Sequence, residues 1–261
     1  AGSRPLSGGT LMNLHTLPAF SLNALSSRQE EACFALLAFS GGIAGGFGSL
    51  FCGHVFANAQ TGSMISLIGE LHAGQWAGVA ARLGGLALFI LGIALTVVLP
   101  VRLFGGDARR WQRACLLVEA ACFLLQGLLP VGALSDISFA LYLWPVFFAA
   151  ALQYNTFTAL HGVPVSTVFC TNNFRQMTLH ALVWRRMHRA AGPEDAAQAR
   201  RELRISLTYL LVTLLFLAGV AFSVFTLEAL GTGQMFLCAG LLFALWLWRT
   251  IDRHLEQSAA R

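Results

Sequence analysis

Segments of about 20 residues with almost no ionisable groups alternate along this chain with short Arg-rich connections. That alternation is the pattern of helices crossing a hydrocarbon layer roughly 30 Å thick, where a spanning helix needs about 20 apolar residues. Of the 261 residues, 56% are hydrophobic and 11% charged, against about 25% charged in an ordinary soluble domain. A transmembrane β-barrel would show alternating segments of about ten residues, and a secreted disulfide scaffold would be short with paired cysteines. Neither pattern is present, so the sequence predicts an all-α polytopic membrane protein embedded in a lipid bilayer.

The net charge of +5 does not point to nucleic acid. All 17 basic residues are Arg, and they sit beside the apolar segments instead of forming one stripe, as charge that sets membrane topology does. Cys33, Cys52, Cys115, Cys122, Cys170 and Cys238 all lie in apolar stretches without a C-x-x-C pair, and read as small core residues. No metal site is expected: His54 and His161 lack any ligand spacing. No cofactor and no enzymatic activity is expected either, because the chain carries no nucleophile elbow, Walker or dinucleotide fingerprint.

Eight apolar stretches follow Glu30 and Glu31, at roughly 32–57, 60–71, 77–101, 114–133, 137–160, 165–184, 205–227 and 231–248. The second is too short to cross at 1.5 Å per residue, and the sixth carries Asn172, Asn173, Arg175 and Gln176 near its centre. Both read as broken or re-entrant elements. The basic regions test this idea: Arg102 to Arg113, Arg185 to Arg204, and the tail with Arg249 and Arg253 share one side of the membrane only if those two stretches fail to cross. About six spanning helices then remain, with both termini and all three basic regions cytoplasmic.

The same count divides the chain into an N-terminal tail (1–30), one helical domain (31–250) and a C-terminal tail (251–261). Within the domain, pseudo-repeats at about 31–133 and 137–249 would enter the membrane in opposite directions, an inverted repeat. The tail shows no signal-peptide-like apolar core, and the lack of a leading Met suggests a processed or trimmed chain. Phe56 to Ser63 and Ser166 to Asn173 occupy comparable positions after the long helix of each half.

These two segments supply the candidate solute site. Asn58, Gln60, Thr61, Gly62 and Ser63 form one polar run, with Thr61 or Ser63 able to cap the following short helix; Thr171, Asn172 and Asn173 form the other. Discontinuous helices of transporters aim free N–H groups at solutes in this way. Gln153 and Asn155, at the end of the fifth stretch, need partners or face a cavity. Arg175, read as half-way along its stretch, costs at least about 2.5 kcal/mol unless compensated. Glu119 is its expected ion-pair partner and a bound anion the alternative. Glycines 41, 42, 45, 46, 48 and 53 place small residues on two faces of the first helix, which allows close backbone approach.

The run Gly42 to Phe47, then His54 to Ser63, then Gln153 and Val163 to Thr171, resembles the YoaK family of bacterial inner-membrane proteins, a family of unknown function, over roughly residues 30 to 250. The resemblance implies a multi-pass bacterial inner-membrane protein with the six-helix fold, and no activity. Ser63, Asn172 and Gly45, the last where the family usually has an acidic residue, depart from its pattern. Two functional expectations stand: a transporter or channel for a small polar solute, anionic or zwitterionic by preference, or a non-transporting scaffold or sensor. A homo-oligomer is compatible with either.

Overall fold

The computed structural model describes residues 27–129, 141–189 and 193–259, with side chains over 29–129, 141–189 and 196–252. The described chain forms α1 (Ser27–Phe51), α2 (Gln60–His72), α3 (Trp76–Phe104), α4 (Ala108–Leu128), α5 (Trp144–Thr156), a two-residue hairpin of β1 (Ala159–Leu160) and β2 (Val163–Pro164), α6 (Thr171–His188), α7 (Pro193–Leu230) and α8 (Gly233–Ala259). Four of these, over Gln29–Phe51, Trp76–Phe104, Ala196–Leu230 and Gly233–Asp252, are long and apolar enough to cross a membrane.

Local chemistry sets several boundaries. Gly105 takes a left-handed conformation (φ 58°) that ends α3, and Asp107 caps α4 by accepting the Arg110 N–H at 3.0 Å. Because α4 starts at Ala108, Arg109, Arg110 and Arg113 are its first turns and not a loop; Arg200, Arg201 and Arg204 likewise belong to α7, and Arg185 and Arg186 to α6. The C-terminal tail expected from 251 is helical to Ala259, and most of the N-terminal tail lies outside the described residues.

The helices pair in a regular scheme. α1 packs on α7, α5 on α3, α2 on α3, α6 on α7, α1 on α8, α5 on α4, and α4 on α8. Exchanging α1 with α5, α2 with α6, α3 with α7 and α4 with α8 maps this set onto itself.

Residue contacts give the helix directions. α1 and α7 run parallel: Gly42 lies against Phe216 and Val220, and Gly46 against Ser223. α3 and α5 also run parallel, since Trp144 Nε1 donates to Ala81 O and Asn155 Nδ2 to Thr96 Oγ1. By contrast α4 runs antiparallel to α8, through Arg249 to Gln112 and Phe236 to Gly127, and antiparallel to α5, through Trp111 to Thr156 and Tyr142 to Gln126. Cys238 meets Ser40 and Arg249 lies within electrostatic reach of Cys33, so α8 runs antiparallel to α1. The six helices α1, α3, α4, α5, α7 and α8 therefore alternate in direction. The start of α1, the end of α3, the start of α4, the end of α5, the start of α7 and the end of α8 all lie at one end of the bundle.

The Arg residues gather there. Arg102, Arg109, Arg110, Arg113, Arg200, Arg201, Arg204 and Arg249 occupy those helix ends, and α6 descends to the same end with Arg185 and Arg186. Arg82 stands near the opposite end, buried and paired with Glu70 of α2 at 2.7 Å.

Candidate functional site

Between α1 and α2, and between α5 and α6, the chain leaves its helix and folds back toward the middle of the bundle. Gly53 and His54 both take φ 60°, which reverses the chain just after α1. The returning segment lies on one face of α1: a Cβ at Gly48 would stand 2.6 Å from the Val55 carbonyl, and one at Gly45 2.9 Å from Asn58 Nδ2. At Gly41 the same face meets the second loop, where a Cβ would stand 2.5 Å from the Thr167 carbonyl. Gly42 and Gly46 face the other way, against α7, so the two glycine faces have separate tasks.

The second return passes through the β1–β2 hairpin, whose turn residues His161 and Gly162 have φ 51° and 76°. The hairpin is fastened to the start of α1, with the His161 N–H donating to Glu30 Oε1 at 2.8 Å. The expectation was one broken or re-entrant element over 165–184, with Arg175 half-way along it. The break lies ahead of the helix: irregular chain reaches Cys170 and α6 begins at Thr171, so Asn172 and Arg175 belong to the first turns of a helix and not to its centre.

The two returning segments meet. Asn58 Nδ2 donates to the Val168 carbonyl at 2.7 Å, and Gln153 Nε2 donates to Thr167 Oγ1 at 2.8 Å and to Leu37 O on α1 at 2.9 Å. Within its own loop Ser63 Oγ donates to Phe56 O, seven residues back, at 3.2 Å. In the other loop Asn173 Nδ2 donates to Ser166 O, also seven residues back, at 2.7 Å, while Asn173 Oδ1 accepts the Ser166 N–H. Residues 56, 58 and 63 thus correspond to 166, 168 and 173, and the Asn58–Val168 bond joins two corresponding positions.

Beside that bond lies a small cavity of about 10 Å³, lined by Gly41, Ala44, Asn58, Phe123, Gln153 and Val168 among others. It is large enough for about one water molecule. Asn58 is 7% exposed and its Oδ1 has no hydrogen-bond partner. An orphaned buried amide oxygen costs about 1–3 kcal/mol, so a donor in the cavity would relieve it.

The remaining expected residues are spread around this centre. Gln60 Nε2 donates to Ala57 O at 2.8 Å. Thr61 and Thr171 are exposed, and Gly62 is half-buried against Phe56. Neither Thr61 nor Ser63 caps α2: its N-cap is Ala59, that of α6 is Cys170, and neither makes a side-chain capping bond. Asn155 and Asn172 line a separate open groove of about 220 Å³ with Tyr154, Ser166 and Phe169.

The expected Glu119–Arg175 ion pair does not form. Arg175 is exposed on α6, whereas Glu119 is fully buried in α4 with its Oε1 accepting from the Cys115 thiol at 3.1 Å. The physical reason is the start of α6 at Thr171, which puts Arg175 on an outward face of a helix that packs on α7. Among the described residues no cluster of three or more metal-ligating side chains occurs. All six cysteines are free thiols, four buried and two half-buried.

Thr167 and Val168 were not anticipated as part of the centre. Val168 contributes a backbone carbonyl, which no side-chain pattern reveals, although the Gly41, Gly45 and Gly48 register was a signal that backbone approaches that face.

Residues 33–248 match the family described as a protein of unknown function, DUF1275, and the chain belongs to that family. No curated protein and no solved structure matches the chain.

Proposed function

We propose that this DUF1275 member moves a small polar solute across a membrane, as a transporter or channel, through the contact between its two broken elements. The observation that carries the reading is the Asn58–Val168 hydrogen bond beside a small cavity lined by Asn58, whose Oδ1 has no hydrogen-bond partner. Irregular backbone at membrane depth is tolerated where it is buried in protein or lines a cavity, and transporters place their sites at such crossings.

In this reading the long apolar helices α1, α3, α7 and α8 span the bilayer, the sequence stretches that contain α4 and α5 supply the other two of the six spans, and α2 and α6 are half-helices. The halves 31–133 and 137–249 form an inverted repeat. Support comes from the self-mapping pairing scheme, from the alternating helix directions and from the seven-residue hydrogen bonds shared by the two loops. The gathering of Arg residues at one end supports a cytoplasmic assignment for that end and for both termini. The narrower likeness to YoaK-type proteins, and with it residence in a bacterial inner membrane, belongs to the same proposal.

An anionic or zwitterionic solute is the preferred class. Both half-helices start without a side-chain cap, and Arg175 stands in the first turns of α6. A non-transporting scaffold or sensor is the second reading. It is favoured by Ser63 and Asn173, whose side chains are spent on their own loops.

The experiment is uptake into proteoliposomes of succinate, glycine, glycerol and choline, one for each charge class. The expected result is flux of succinate or glycine, abolished in well-folded Asn58→Leu and reduced in Arg175→Gln. Absence of flux from all four would overturn the transport reading and leave the scaffold.

A further inference from the structure

Glu119 takes no part in the contact described above, yet it is among the most deeply enclosed polar side chains of the protein. It is 0% exposed; Oε1 accepts from Cys115 Sγ at 3.1 Å and Oε2 has no partner. Cys115 Sγ also approaches Thr156 Oγ1 at 3.5 Å, and Thr156 Oγ1 accepts the Trp111 indole N–H at 3.1 Å. A chain of polar groups therefore ties α4 to α5 and ends on the unpartnered carboxyl oxygen.

No cation neutralises that carboxyl among the described residues. On α4 its titratable neighbours are Cys115 and Cys122, about one turn to either side, and from α5 it meets the Thr156 hydroxyl layer. On α1 the Cys33 thiol lies within electrostatic reach of both Glu119 and Arg249. Arg249 of α8 gives its Nη2 to Gln112 Oε1 at 2.8 Å, two turns away along α4, and its buried Nη1 has no partner. An isolated carboxylate in so dry a place would cost far more than its hydrogen bonds return, and a proton on the carboxyl would remove that cost.

Position gives the proton a use. Phe123 and Gln153 line the central cavity; Glu119 is four residues before Phe123, and Thr156 three after Gln153. The carboxyl layer thus lies one helical turn, about 5.4 Å of rise, from the cavity on the Arg-rich side. We propose that Glu119 binds a proton whose release and rebinding are coupled to solute movement. When water enters from the cavity the O–H bond breaks, its electron pair stays on the carboxylate, and the proton passes to water; closure returns it. This rests on the transport reading.

Two measurements on the full chain test it. The first is an infrared pH titration of wild type minus Glu119→Gln, read at the carbonyl stretch of a protonated carboxyl group. A band that disappears as pH rises is expected, and its absence at every pH would overturn the proposal. The second is glycine or succinate uptake into proteoliposomes with trapped pyranine and the membrane potential clamped by valinomycin and potassium. An acid-outside gradient is expected to raise wild-type accumulation several-fold with matching proton entry. Glu119→Gln, checked for folding by size exclusion, is expected to lose that dependence, and Glu119→Asp to restore it. Solute flux indifferent to the gradient, or a gradient dependence that survives in Glu119→Gln, would overturn the coupling and leave transport standing. Absence of any solute flux would overturn both.

Discussion

Gly41→Ala probes the contact on which the site depends. The added Cβ would stand 2.5 Å from the Thr167 carbonyl oxygen, against the 3.4 Å at which ordinary contact begins, so the loop or the helix must yield by about 0.9 Å. The obstacle is backbone, which cannot rotate away as a side chain end can. Thr167 is also held by Gln153 through its hydroxyl, and Val168 by Asn58, so a shift strains two buried hydrogen bonds together. Overpacking of this kind costs about 1–3 kcal/mol. It outweighs the gain of about 0.5–1 kcal/mol that Ala brings over Gly in a helix interior. Gly240→Ala is the matched control, since nothing lies within 4 Å of its added Cβ. Thermal unfolding of the detergent-solubilised protein should show a lowered midpoint for Gly41→Ala and an unchanged or raised one for Gly240→Ala. If Gly41→Ala is as stable as Gly240→Ala, the second loop does not rest on α1 as described.

At the end of the bundle opposite the Arg cluster, Arg82→Gln leaves Glu70 as a part-buried charge without its partner, and a loss of about 3 kcal/mol is expected; the double variant with Glu70→Gln should recover part of it in the same unfolding assay, and no recovery would argue against the pair. Gln234→Leu removes the acceptor of the Ser223 hydroxyl and a donor to its carbonyl between α7 and α8, at an expected cost of about 1–3 kcal/mol; an unchanged midpoint would show that this buried network contributes nothing net. In a cysteine-free background that remains folded, single cysteines at Asp107 and Arg201 should react with a membrane-impermeant maleimide from one face and a cysteine at Thr232 from the other; labelling of the first two from opposite faces would rule out the topology proposed above.

How much of this was legible beforehand varied with the kind of information each feature needed. The short element at 60–71 was placed almost where α2 lies, at Gln60–His72, because an apolar run of that length has few alternatives. The run at 165–184 was read as broken, but its break was not located. Val165 and Val168 are buried, but in irregular chain after a hairpin and not in a helix, and hydropathy records burial without conformation. Arg175 was misplaced in consequence: its depth was counted from a helix boundary that stands at Thr171. Glu119 was read only as the ion-pair partner of Arg175, whereas its contacts are with Cys115 on its own helix and, through that thiol, with Thr156 of α5.

Composition and charge placement by themselves determined that the chain is helical and that its basic residues collect at helix ends, because both follow from local sequence. The doubled polar runs and the glycine faces of the first helix were visible for the same reason. Which groups meet was decided only by tertiary structure. The Val168 carbonyl opposite Asn58 is a backbone atom present at every position, and its selection depends on a chain reversal at Gly53 and His54 and another at His161 and Gly162. Asn58 and Val168 are separated by 110 residues, and Glu119 and Thr156 by 37; no local pattern ties either pair. The loops of the first pair meet because both rest on the Gly41, Gly45 and Gly48 face of α1, where small residues let backbone approach, and the second pair is joined by the antiparallel packing of α4 on α5.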